Sequence, residues 1–142
     1  MIDRTRFAIS TEETRYYLNG IYLHPTEEDG TSVLRAVATD GHRLARVDIP
    51  LPEGAAGMSG VIVPRKTVGE VRKLLDDATD DVEITVSDTK IHFSTGAIEL
   101  TSKLIDGTFP EYQRVIPVGN EKTLTVDCRS FQSAIDRVAT IS

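Results

Sequence analysis

The sequence has no tryptophan and one cysteine, and aromatic residues make up 6% of its 142 positions. A lone thiol, Cys128, cannot close an internal disulfide, and no cysteine–histidine group has zinc-site spacing. A reducing, cytoplasmic setting is therefore expected, with no metal and no other cofactor. The scarcity of aromatic rings argues against a platform that stacks successive bases of a single strand. Long apolar runs are missing as well, the longest resembling Val61-Ile62-Val63. No basic-then-apolar leader opens the chain, so neither a membrane span nor a secretion signal is expected. Glycine-rich phosphate loops are absent, and no serine sits in a nucleophile-elbow pattern. Positive charge is in deficit: 16 basic residues against 22 acidic ones leave a net charge of −6. The surface as a whole should repel a phosphate backbone, so any nucleic-acid contact has to be local.

What the sequence does contain is a strand-rich pattern with enough apolar residues, 39%, to build a core in one ordinary domain. Period-2 alternation predicts strands at 16–24, 32–38, 42–49, 82–86, 90–94 and 97–102, connected closely enough for an antiparallel meander. Asp40-Gly41 suits a primed two-residue hairpin turn, Asp88-Thr89 and Thr95-Gly96 mark two further reversals, and 27–31 reads as a polar hairpin tip. Residues 51–60, with Pro52, Gly54, Gly57 and Gly60, read as a surface loop.

Helical spacing appears in three places. Phe131, Ala134, Ile135 and Val138 share one face behind Asp127 as N-cap. A second helix is expected from Pro64, as a first-turn proline, to Ala78, with Val68, Val71, Leu74, Leu75 and Ala78 inward. Met1–Ile9 has no start signal and reads as the remainder of a longer helix. Ile2-Asp3-Arg4 before Phe7–Ser10 is echoed by Ile135-Asp136-Arg137 before Ala139–Ser142, as expected of a chain cut from a tandem array.

The second helix carries Arg65, Lys66, Arg72 and Lys73 against one acid, Glu70. It is either a charged solvent face or a non-specific phosphate contact. Thr14-Arg15-Tyr16-Tyr17 joins a cation to two rings where a strand should begin, so one ring should be buried and one left near solvent. Either these are ordinary sheet residues, or they make a minor stacking contact to a single strand. Asp40 and His42 look like a catalytic pair but lack a nucleophile. The acidic run Asp76, Asp77, Asp80 and Asp81 is most simply a solvated turn, and His24 and His92 read as half-buried packing residues. A metal-dependent hydrolase built on Asp40, His42 and the acidic turn is one alternative, and a structural interaction domain without DNA contact is another.

Four blocks, Thr14 to Gly20, Val37 to Ala45, Val61 to Lys66 and Thr101 to Pro117, resemble in order and spacing the DNA polymerase III β subunit, the bacterial sliding-clamp family. The resemblance implies an α+β DNA-clamp fold, with antiparallel sheets and helices packed on one side that face the DNA pore of the assembled ring. Residues 1–117 would be an N-terminally truncated middle domain, and 118–142 a linker with the first strand and helix of the third domain, that strand and helix spanning Thr123–Ala139. It implies a non-catalytic processivity factor that encircles duplex DNA as a head-to-tail homodimer, away from membranes. Its partners would be the polymerase α subunit, the clamp loader and other carriers of a short clamp-binding motif. By position, Leu18, Thr39, Gly41, His42, Arg43, Leu44, Pro110, Arg114 and Val115 match one side of the motif pocket. The side facing DNA would include Arg4, Arg15, Tyr16, Tyr17, Arg65, Lys66, Arg72 and Lys73.

Overall fold

A computed structural model describes residues 1–78 and 81–141, except for the side chain of Asp77. The chain divides into two compact units, Met1–Pro110 and Glu111–Ser142. This division lies a few residues before the sequence-based boundary at 117.

The first unit is built on a four-stranded antiparallel sheet, order β3-β2-β1-β4, formed by β1 (Gly20–Glu28), β2 (Thr31–Thr39), β3 (Leu44–Pro50) and β4 (Val61–Pro64). A three-stranded antiparallel sheet, order β5-β6-β7, follows from β5 (Glu83–Val86), β6 (Lys90–Thr95) and β7 (Ile98–Lys103). The primed-type reversal sits at Asp29-Gly30, where both residues have positive φ (51° and 75°) between the paired Glu28 and Thr31. It does not sit at Asp40-Gly41, because Thr39 pairs with Leu44 and leaves a four-residue loop. The turn expected at Thr95-Gly96 falls on Gly96-Ala97, since Thr95 pairs with Ile98.

Val61–Pro64, not among the expected strands, pairs with Gly20–Leu23. Its pairing explains why α2 (Arg65–Asp77) starts one residue later than expected. Pro64 is extended (ψ 145°) opposite Gly20 and serves as N-cap. Gly20 has no room for a side chain, because a Cβ there would lie 2.3 Å from the Val63 carbonyl oxygen.

The core joins both sheets. Ile21, Ala36, Ala38, Ala45 and Val63 from the larger sheet meet Val68 and Val71 of α2 and Ile91 and Phe93 of β6. The expected N-terminal helix is a short α1 (Ile2–Thr5) followed by a 3-10 turn, Arg6–Ala8, with Ile9 already extended. Tyr16–Leu18 forms another 3-10 turn, so the predicted first strand begins only at Gly20. The opposite face of β2 is covered too: Val33, Arg35 and Val37 are buried there. Phe109 lies across that face, its ring stacked on Tyr22 at 4.9 Å, and Tyr22 stacks on His24 at 4.6 Å. Arg35 is held by Asp48 at 2.7 Å and by Glu28.

In the second unit, residues 112–115 form a 3-10 turn and α3 spans Cys128–Ala139. Asp127 caps α3 as expected, accepting from the Ser130 amide (2.9 Å) and hydroxyl (2.8 Å). No strand forms after Thr123: residues 116–127 carry no regular element, and among the described residues none makes a ladder with them. An isolated extended segment has no neighbour to satisfy its backbone groups.

Candidate functional site

The 40–43 loop is held by its own side chains. The Thr39 hydroxyl accepts from the Gly41 amide (3.1 Å) and donates to the Arg43 carbonyl (2.8 Å). The Asp40 carboxylate accepts from the His42 and Arg43 amides (2.9 and 3.0 Å) and from Arg43 Nε (3.0 Å). Those backbone amides, with the Arg43 guanidinium behind them, hold its pKa down at about 2. Gly41 takes φ +89°, a conformation side-chain-bearing residues avoid. Arg43 also lies over the Phe7 ring, 5.6 Å from its centre.

Several predicted pocket residues of the first unit come together around this loop. Thr39 and Leu44 are direct partners at the end of the sheet. Arg15, one residue before the 3-10 turn that contains Leu18, reaches the loop through a bond from Nη2 to the Asp40 carbonyl (3.0 Å). The 107–109 segment runs between that turn and Tyr22, because a Cβ on Gly107 would lie 3.1 Å from Tyr17 Cβ, while Phe109 stacks on Tyr22. Pro110 is the next residue after the anchored Phe109. Leu18 is 3% exposed, so it can serve only as a floor, while Gly41, His42, Arg43 and Pro110 are exposed. Arg114 and Val115 are exposed residues of the second unit, Arg114 pairing with Glu111 at 2.6 Å.

The cations expected to face DNA are differently employed. Arg65 and Lys66 are exposed and make no ion pair among the described residues. Lys73 is exposed and meets Glu70 at 3.1 Å. Arg72 is half-buried between Asp3 (2.8 Å) and Asp76. Arg4 is exposed on α1. Tyr16 is exposed and edge-on to the half-buried Tyr17, the division expected, though produced by a 3-10 turn and not by strand alternation. Arg15 forks onto Glu12 through Nε (2.9 Å) and Nη2 (2.6 Å) as well as reaching Asp40.

Among the described residues nothing assembles around Asp40 and His42 as a catalytic pair, since the carboxylate is taken up by amides and Arg43. Among the described residues no three metal-ligating side chains converge, and Asp80 and the Asp77 side chain of the acidic turn lie outside the described residues. His24 is half-buried, and burial lowers its pKa. His92 bonds Thr101 at 2.8 Å. A cavity of about 600 Å³ between α2 and the two sheets is lined by core residues such as Leu23, Val71 and Phe93, and it includes none of the pocket residues. No helix among the described residues is long and apolar enough to cross a membrane.

The profile of the DNA polymerase III beta subunit, central domain, matches residues 1–111. The chain belongs to the DNA polymerase III β-subunit family. It is 61% identical to the beta sliding clamp of Caulobacter vibrioides over its whole length, and 41% identical to that of Pseudomonas aeruginosa. It spans 38% of the length of each. A Caulobacter crescentus clamp structure superposes with a TM-score of 0.95 at 62% identity, covering 99% of this chain and 38% of that one. A sliding clamp from Bartonella birtlesii, bound to griselimycin, gives 0.92 at 61%, with the same coverage. The antiparallel sheets with packed helices are thus the clamp fold. Phe7, Glu12 and Phe109 escaped the sequence reading. Phe7 and Glu12 carry no periodic signal, whereas Phe109 lies inside the Thr101–Pro117 block and could have been weighed as its anchor.

Proposed function

We propose that this chain is the central part of a sliding clamp, a non-catalytic processivity factor that encircles duplex DNA without reading its sequence. Residues 1–117 are assigned to the middle domain, and 118–142 to a linker and the opening of the third. In the full-length protein, a head-to-tail homodimer in the cytoplasm, the helices face the pore. Arg65, Lys66 and Lys73 attract phosphates there, with Arg4, Arg72, Tyr16 and Tyr17 beside them. On the same reading the polymerase α subunit, the clamp loader and other partners dock a short motif against Leu18, Thr39, Leu44 and Pro110, with Gly41–Arg43 at the rim. The family resemblance assigns Arg114 and Val115 to the same motif.

The observation that carries this reading is one glycine-containing loop closed by paired Thr39 and Leu44 and bonded by Arg15, three residues before Leu18, with Phe109, just before Pro110, anchored on Tyr22. Apolar groups with a few fixed polar donors are the general chemistry of a short-peptide site. The test is a titration of the isotope-labelled chain with a clamp-binding-motif peptide and with a control whose apolar anchors are alanine. Amide shifts at Leu18, Gly41–Leu44 and Pro110–Val115 that vanish with the control are the expected result. A folded chain with no shifts at millimolar peptide would remove peptide binding from the assignment.

A further inference from the structure

Arg15 is committed to the pocket loop. Its Nε and Nη2 fork onto Glu12, and Nη2 also donates to the Asp40 carbonyl. Its Nη1 lies where a side chain of residue 41 would begin, since a Cβ on Gly41 would be 2.5 Å from it. Glu12 is itself anchored: its amide bonds Ser10 Oγ at 3.1 Å and its carbonyl accepts from Asn19 Nδ2 at 3.0 Å. A fixed backbone thus aims a carboxylate, the carboxylate aims a guanidinium, and the guanidinium supports the loop from beneath.

We propose that Arg15 is a positioning residue of the peptide site, holding the 40–43 loop through the Asp40 carbonyl and the space left by Gly41. This rests on the pocket reading above and differs from a phosphate contact in what it requires. A guanidinium that turns to a phosphate gives up bonds to Glu12 or Asp40 and releases the loop. Arginine is needed because its planar fork serves two acceptors at fixed angles, which a single ammonium cannot do.

The test measures amide hydrogen exchange without peptide, and peptide affinity by amide shifts, in the full chain. Arg15→Ala should speed exchange at His42 and Arg43 about tenfold and weaken the peptide about five- to tenfold, with dispersion elsewhere in the spectrum unchanged. Arg15→Lys should restore little, and Glu12→Gln should fall between. Gly41→Ala combined with Arg15→Ala should lose less than the product of the two separate losses, because removing the guanidinium clears space for the added methyl. Unchanged exchange at 41–43 with a peptide affinity within twofold of the parent would overturn the proposal, and a simultaneous loss of duplex affinity would reassign Arg15 to phosphate. A parent chain that gives no peptide shifts would instead sink the pocket reading, and the exchange measurement, made without peptide, tells the two failures apart.

Discussion

Asp40 is the side chain on which the shape of the 40–43 loop most depends. Its folded pKa, about 2, lies below the ordinary 3.8, so the ionised, amide-bonded form stabilises the loop above pH 3.8. That contribution is lost as pH falls through about 2. The His42 and Arg43 amide resonances should therefore titrate together with a midpoint near pH 2, and a midpoint at or above 3.8 would contradict the capping geometry. At Gly41 the positive φ makes alanine strained in any surroundings, costing about 1 kcal/mol of stability in a denaturant melt. Only part of the clash with Arg15 adds to this, since the end of a long side chain can move.

Arg35 shows what a single strand can hide. Its place in the apolar run Val33–Val37 suggested nothing unusual, yet its side chain is 2% exposed and spans Glu28 and Asp48 across three strands. Arg35→Leu should lower unfolding stability by about 2–3 kcal/mol, because two carboxylates lose their buried partner and keep only the more exposed Arg46. A loss below 0.5 kcal/mol would show that the pair contributes no net stability. The inner faces of β1 to β3, the inward residues of α2 and the Asp127 cap could be read from sequence, since each repeats a burial period or a local bond. The Tyr16–Leu18 turn could not. Its course is set by the Ser10 amide bonding the Leu18 carbonyl and by Arg15, contacts outside any local window. The Asp-Gly signal was similarly ambiguous: at 29–30 nothing competes with the tight turn, whereas at 40–41 the Thr39 and Asp40 oxygens capture the amides and open the loop. α3 is the opposite case to β2. It is well capped and amphipathic, but none of its residues is buried. Helices this short are marginal without packing, so its amides should exchange at least a hundredfold faster than those of β2, and equal protection would show that its apolar face is covered in solution.

Across the whole molecule, an acidic chain presents an exposed pair of cations at the start of α2 and a third, Lys73, loosely countered by Glu70. Charge reversal at Lys66 and Lys73 in the proposed ring of full-length subunits should weaken duplex retention and flatten its dependence on salt by roughly two per subunit in the log–log slope. Retention unchanged across 50–200 mM salt would remove α2 from the pore. The candidate pocket was legible only through family resemblance, because periodicity places Leu18, Thr39, Leu44 and Pro110 on separate elements and cannot say that they meet. What fixes the segment leading to Pro110 is a contact late in the chain, Phe109 on Tyr22, supported by the Ile62–Ile105 bridge.

That contact has a bearing on how the protein is made. Tyr22 leaves the ribosome long before Phe109, and the loop between them must close before the outer face of β2 is dry, a slow kind of event in folding. The buried Arg35 row therefore waits, solvated, on a nascent sheet whose inner face can already be packed. The segment leading to Pro110 settles at the end of that sequence, so on the proposed reading a motif peptide would meet a finished site only on a chain whose first unit has finished folding.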